Sequence, residues 1–80
     1  MKLPRDISGK RLAKALQKFG YEIEHQTGSH IRLKTLVNGL HHISIPNHRS
    51  IKVGLLNGIL KEIARHQELT RDEVIEKLAL

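Results

Sequence analysis

Residues 21–46, YEIEHQTGSHIRLKTLVNGLHHISIP, decide the fold, because here the apolar period changes from helical to alternating. Parity puts Tyr21, Ile23 and His25 on one face, with Glu22, Glu24 and Gln26 on the other. Thr27-Gly28-Ser29 reads as a turn. In the strand that follows, Ile31 and Leu33 face one side, and His30, Arg32 and Lys34 face the opposite one. Asn38-Gly39 is a strong hairpin signal, and residues 40–45 read as a third strand stopped by Pro46. Three strands joined by two tight turns predict an antiparallel meander.

Helical patterns flank this core. Ser8 suits the cap of a first helix over residues 9–19, with Leu12, Leu16 and Phe19 on one apolar stripe. Lys10, Arg11, Lys14 and Lys18 fall mostly off that stripe, and Gly20 suits the left-handed position that ends a helix. Residues 1–7 read as a basic arm. After a loop over residues 46–50, Val53, Leu56, Ile59, Leu60 and Ile63 mark a second amphipathic helix. Within it, the spacing of Gly54 and Gly58 reads as allowing close packing on the sheet. Thr70 and Glu73 have capping-box spacing before a short third helix carrying Val74, Ile75 and Leu78. The predicted order is α-β-β-β-α-α in one α+β domain over residues 1–80. Helices cover the apolar face of the sheet, since three strands cannot bury it alone, and the polar face stays open.

Composition narrows the function. A chain of 80 residues buries only about 60–65% of its unfolded surface, which leaves room for one modest core. It is too short for a two-domain nucleotide-dependent enzyme, and it has no apolar run long enough to span a membrane. The first residues lack an apolar signal-peptide core, so a cytoplasmic chain is the expectation. There is no cysteine, which excludes disulfides and thiolate metal sites. Fourteen Lys and Arg against eight Asp and Glu give a net charge of +6. The excess lies in residues 1–58, with ten basic and three acidic residues, whereas residues 59–80 are close to neutral. A basic body suggests a polyanion such as nucleic acid, although ordinary solubility charge gives the same count. Tyr21 and Phe19 are the only aromatics, which argues against folds that stack several bases on a sheet.

His30 is the first candidate for chemistry. An imidazole exchanges protons near neutrality, and two cations on the same face, Arg32 and Lys34, suit a phosphate. Such a set could deprotonate a ribose 2′-hydroxyl and stabilise the charge on phosphorus without a metal or other cofactor. A solvated strand histidine amid surface charge fits the same pattern. His48 lies just before the second helix and is a candidate second acid or phosphate contact, or simply a loop residue. His41 and His42 must point to opposite faces of a strand and cannot jointly hold one metal. His25 reads as structural by parity, and His66 as a charge at a helix end. A non-catalytic RNA-binding module and a basic protein docking an acidic partner remain open as alternatives.

Several short motifs occur in a fixed order: Leu3-Pro4-Arg5, Ile7-Ser8-Gly9-Lys10, Ala15-Leu16, Phe19-Gly20-Tyr21, Gly28-Ser29-His30 and Ile45-Pro46-Asn47-His48. Gly54-Leu55-Leu56, Ile59-Leu60-Lys61 and Leu69-Thr70-Arg71-Asp72-Glu73 follow. Together they resemble the small HicA-type mRNA interferase toxins of toxin–antitoxin modules, over nearly the whole chain. The resemblance implies a double-stranded-RNA-binding-domain-like α-β-β-β-α fold with an extra short C-terminal helix. It also implies cleavage of mRNA with His30 as the catalytic residue, positioned by the turn at Gly28 and Ser29. Arg32, Lys34 and Lys10 would then contact RNA phosphates, and a HicB-type antitoxin would cover the catalytic face. Gln67-Glu68 departs from the pattern, standing where a small Ala-Gly turn is usual.

Overall fold

A computed structural model describes residues 3–80. Helix α1 spans Gly9–Ala15 and tightens into a 3-10 turn over Leu16–Phe19. Strands β1 (Glu22–Gln26), β2 (His30–Thr35) and β3 (His41–Pro46) follow, then helices α2 (Val53–Gln67) and α3 (Arg71–Leu78). The sheet is the predicted antiparallel meander in the order β1-β2-β3. The architecture is α+β with the α-β-β-β-α order of double-stranded-RNA-binding-domain-like folds, extended by α3.

Local chemistry explains the boundaries. The Ser8 side chain accepts from the Arg11 N–H, and Gly20 ends the first helical segment with φ at 81°. A side chain at Gly20 would also strike Val37. Thr70 and Glu73 form a reciprocal capping box at the start of α3. Alternation along β2 buries Ile31, Leu33 and Thr35 and leaves His30 and Arg32 exposed. Ile43 and Ile45 of β3 join the buried set, and Leu12, Leu16, Leu56, Leu60 and Ile63 of the helices close over it.

Several sequence expectations are corrected. Residues 3–7 are not a free arm: Ile7 is buried, its carbonyl accepts from the Ile51 N–H at 2.8 Å, and Leu3 packs on the core. Met1 and Lys2 lie outside the described residues. Strand β1 does not keep strict parity, because a bulge between Ile23 and His25 shifts its register. The bulge pairs His25 with Arg32, which puts His25 on the polar face instead of the apolar one. Gly54 and Gly58 do not pack on the sheet. Both are exposed and a Cβ at either would meet nothing within 4 Å; they border a cleft beside Ile43 and Ser44. His66 is more than a charge at a helix end: its Nε2–H donates to the carbonyls of Val37 and Gly39 at 2.9 and 3.0 Å, latching the β2–β3 hairpin to α2.

Candidate active site

The turn before β2 is built by Thr27. Its N–H donates to the His30 carbonyl at 2.9 Å, and its Oγ1 accepts from the backbone N–H groups of His30 and Ser29 at 3.0 and 3.3 Å. These bonds close a two-residue loop of Gly28 and Ser29 and leave His30 exposed at the head of β2. Ser29 Oγ lies 3.0 Å from Nδ1 of His30, and Nε2 is left without a hydrogen-bond partner among the described residues. Gly28 has no left-handed φ, and a Cβ there would meet nothing within 4 Å.

A second segment meets this turn. The Asn47 N–H donates to the Ser29 carbonyl at 2.9 Å, and Asn47 Nδ2 reaches the Gly28 carbonyl at 3.4 Å. The next residue, His48, accepts at its carbonyl from the Gly9 N–H at 2.9 Å. Gly9 permits this approach, since a Cβ there would overlap the Pro46 carbonyl oxygen. The hairpin turn, the exit of β3 and the start of α1 therefore converge at one end of the sheet. The convergence places exposed Lys10 and His48 at that end, with His48 joined to the start of α1 through its backbone carbonyl.

The polar sheet face carries His30, Arg32 and Lys34 of β2, as their alternation requires, together with His25 of β1 and His42 and Ser44 of β3. Glu24, at the bulge, lies between two of them. Its Oε2 accepts from Arg32 Nε at 3.2 Å and from His42 Nδ1 at 2.7 Å, so three strands each contribute one side chain. The His42 hydrogen bond, opposed only partly by desolvation, holds the Glu24 carboxyl below its usual range. Sequence reasoning missed Glu24 because a bulge cannot be read from alternation. It missed Asn47 because the decisive bond is made by backbone.

A second histidine cluster lies at the opposite end of the sheet. The Tyr21 hydroxyl donates to His41 Nδ1 at 2.7 Å, His41 Nε2 is 3.3 Å from Glu62, and the His41 ring stacks on His66 at 4.4 Å between centroids. Among the described residues, no three His, Asp or Glu side chains are grouped as a metal site.

Fold and site together define a small basic domain of the double-stranded-RNA-binding-like class, with an exposed histidine on a stapled hairpin turn. The family model for the HicA toxin of bacterial toxin–antitoxin systems matches residues 9–64, well over half of the chain. The chain belongs to the HicA toxin family, and membership implies the toxin's role and a HicB antitoxin as its partner. No curated relative and no solved structure matches it. Among the described residues, no helix is long and apolar enough to cross a membrane.

Proposed function

We propose that this toxin is a cytoplasmic, metal-independent endoribonuclease that cuts mRNA, with His30 moving the proton of the ribose 2′-hydroxyl. The supporting observation is the stapled turn: His30 is exposed, held by Ser29 at Nδ1, and shares a face with Arg32 and Lys34. Ser29 serves either protonation state. With Nδ1–H donating to Ser29 Oγ, the neutral ring has a lone pair at Nε2 and acts as a base; once protonated, the ring still donates from Nδ1 to Ser29, and its Nε2–H acts as an acid.

In the base form, Nε2 takes the 2′ proton, the 2′-oxygen bonds to phosphorus and the bond to the 5′-oxygen breaks. The products are a 2′,3′-cyclic phosphate and a 5′-hydroxyl, whose proton comes from His48 or solvent. Arg32 stands two residues along β2, about 6.6 Å from His30. Its Nε is engaged by Glu24, which leaves the outer guanidinium nitrogens for the charge that builds on phosphate. Lys34, two residues further, and Lys10 would hold neighbouring phosphates. The HicB-type antitoxin would inhibit by covering this polar face.

RNA incubated with the protein in EDTA tests this reading. Wild type should yield 2′,3′-cyclic or 3′-phosphate ends, and His30→Ala should yield none while melting within about 0.5 kcal/mol of wild type. A 2′-deoxy sugar at the cut position should block the reaction. Products with 3′-hydroxyl ends, cutting of DNA, or loss of activity in chelator would reject it.

A further inference from the structure

The exposed positions of α1 and its 3-10 extension are Lys10, Arg11, Lys14, Gln17 and Lys18, with no acid and no apolar side chain among them. Between this face and the open edge of β1 runs a groove of about 490 Å³, within the size range of small-ligand sites. One wall is Lys10, Lys14 and Gln17, the other is Gln26, and between them lie Ala13, Ile23 and Ile31. Ile23 is 46% exposed, a large aliphatic side chain that the fold covers only in part. One end of the groove lies at the same end of the sheet as His30, on the helix-covered side, across the β1 edge from the polar face that carries the His30 side chain. Gln26 pairs with Ile31, the residue after His30, and Lys10 follows Gly9, which rests on Pro46, the β3 partner of His30. From Lys10 to Gln17 it extends about 10 Å along the helix, enough for one or two nucleotides.

We propose that this groove binds the RNA nucleotide flanking the cleaved bond, a site that rests on the reading of the chain as an RNA-cutting enzyme. A nucleotide has the required mixed chemistry. Its phosphate meets Lys10 and Lys14, one helical turn apart, its base covers Ile23, and the Gln17 and Gln26 amides offer both donors and acceptors to the base edge. The other occupant an open sheet edge invites is an added peptide strand. The bulge at Glu24 disfavours it, because it interrupts the regular row of backbone groups that such a strand must pair with.

The test compares wild type with the double variant Lys14→Gln, Ile23→Thr, which keeps helix and strand propensities. Once the cut position is mapped, two RNAs are used: one extending several nucleotides on both sides, and one truncated close to the cut on the side that contributes most to kcat/KM. For wild type, the long RNA should be the better substrate. In the variant that preference should collapse about tenfold, through KM rather than kcat. The salt dependence of binding to long RNA, measured in the His30→Ala background, should fall by about 0.7 in log–log slope for the lost lysine. An unchanged preference in a variant that melts like wild type overturns the groove assignment and leaves the enzymatic reading intact. So does normal cleavage with lost antitoxin binding, which would assign the groove to protein. Wild-type protein that neither binds nor cuts RNA overturns the enzymatic reading and the groove with it.

Discussion

Ser29 Oγ stands 3.0 Å from Nδ1 of His30, so two sequence neighbours meet side chain to side chain at the head of β2. Regular strand geometry would send them to opposite faces. They meet because Thr27 bends the chain with its own N–H and Oγ1, and Asn47 holds the Ser29 carbonyl from the other side. The imidazole is thereby oriented before any substrate arrives.

Ser29→Ala should therefore lower kcat by about tenfold, the value of one orienting hydrogen bond of roughly 1–1.5 kcal/mol, with little change in KM or melting temperature. Single-turnover cleavage beside a thermal melt measures both. A loss as deep as that of His30→Ala would mean that Ser29 reacts rather than positions.

Gly28 presents the opposite case. Nothing in the free protein requires glycine there, since its φ is not left-handed and a Cβ would stand in open space. Gly28→Ala should fold at least as well as wild type, because it narrows the unfolded ensemble by about 0.4–1 kcal/mol. KM for RNA should rise if substrate backbone passes close to the turn. Equal KM in the two proteins would place the substrate elsewhere.

Glu24 sets the charge of the polar face. Its carboxylate engages Arg32 and His42, and the His42 bond holds its pKa below the usual value. Glu24→Gln should release Arg32 for phosphate and tighten RNA binding, with a log–log salt slope steeper by about 0.7 if one more ion is displaced. In His30→Ala protein, a binding titration at several salt concentrations reads this directly. Weaker binding would show that Glu24 orients Arg32 for phosphate rather than competing with it. The Glu24 contribution to stability is present above the usual carboxylate pKa and is lost as pH falls through the depressed folded value.

The strand order, both helix caps and the face shared by His30, Arg32 and Lys34 were legible because each follows from alternation or from a local turn signal. What alternation cannot encode stayed hidden. One extra residue at the β1 bulge moved His25 to the polar face and put Glu24 between two cations. Gly54 and Gly58 have the spacing of a packing seam, yet only the tertiary arrangement shows that their side of α2 faces open space. His66 looked like a charge at a helix end because its two carbonyl partners lie nearly thirty positions away in sequence.

The departure at Gln67-Glu68 has a measurable consequence. Glu68 ends α2 in the left-handed conformation, with φ at 57°, where its N–H still reaches the Arg65 carbonyl. An L-residue there costs roughly 1–2 kcal/mol relative to glycine, partly offset by the greater freedom of glycine in the unfolded chain. Glu68→Gly should therefore stabilise the protein by about 0.5–1 kcal/mol, at about 4–8 °C of melting temperature per kcal/mol. A lower melting temperature would show that the Glu68 side chain contributes more than its backbone strain costs.

His41 gives the fold a sensitivity to acid. Desolvation, reinforced by the neighbouring His66 and His42, lowers its pKa below 6.5, and Glu62 offsets only part of that effect. The neutral ring fits its contacts: Nδ1 accepts from Tyr21, whose own pKa is raised chiefly by burial, and Nε2–H faces Glu62. Because the folded pKa is the lower one, the unfolded chain takes up a proton first as the solution is acidified. Between about pH 6.5 and the lower folded value, the unfolded state binds more protons, so stability must fall as pH falls. Above about pH 6.5 the contribution is fully present. Urea midpoints should decline as pH falls below about 6.5, and His41→Gln, which has no proton to gain, should decline less. Parallel declines in the two proteins would remove His41 as the source, and a steeper decline in the variant would reverse the sign argued here.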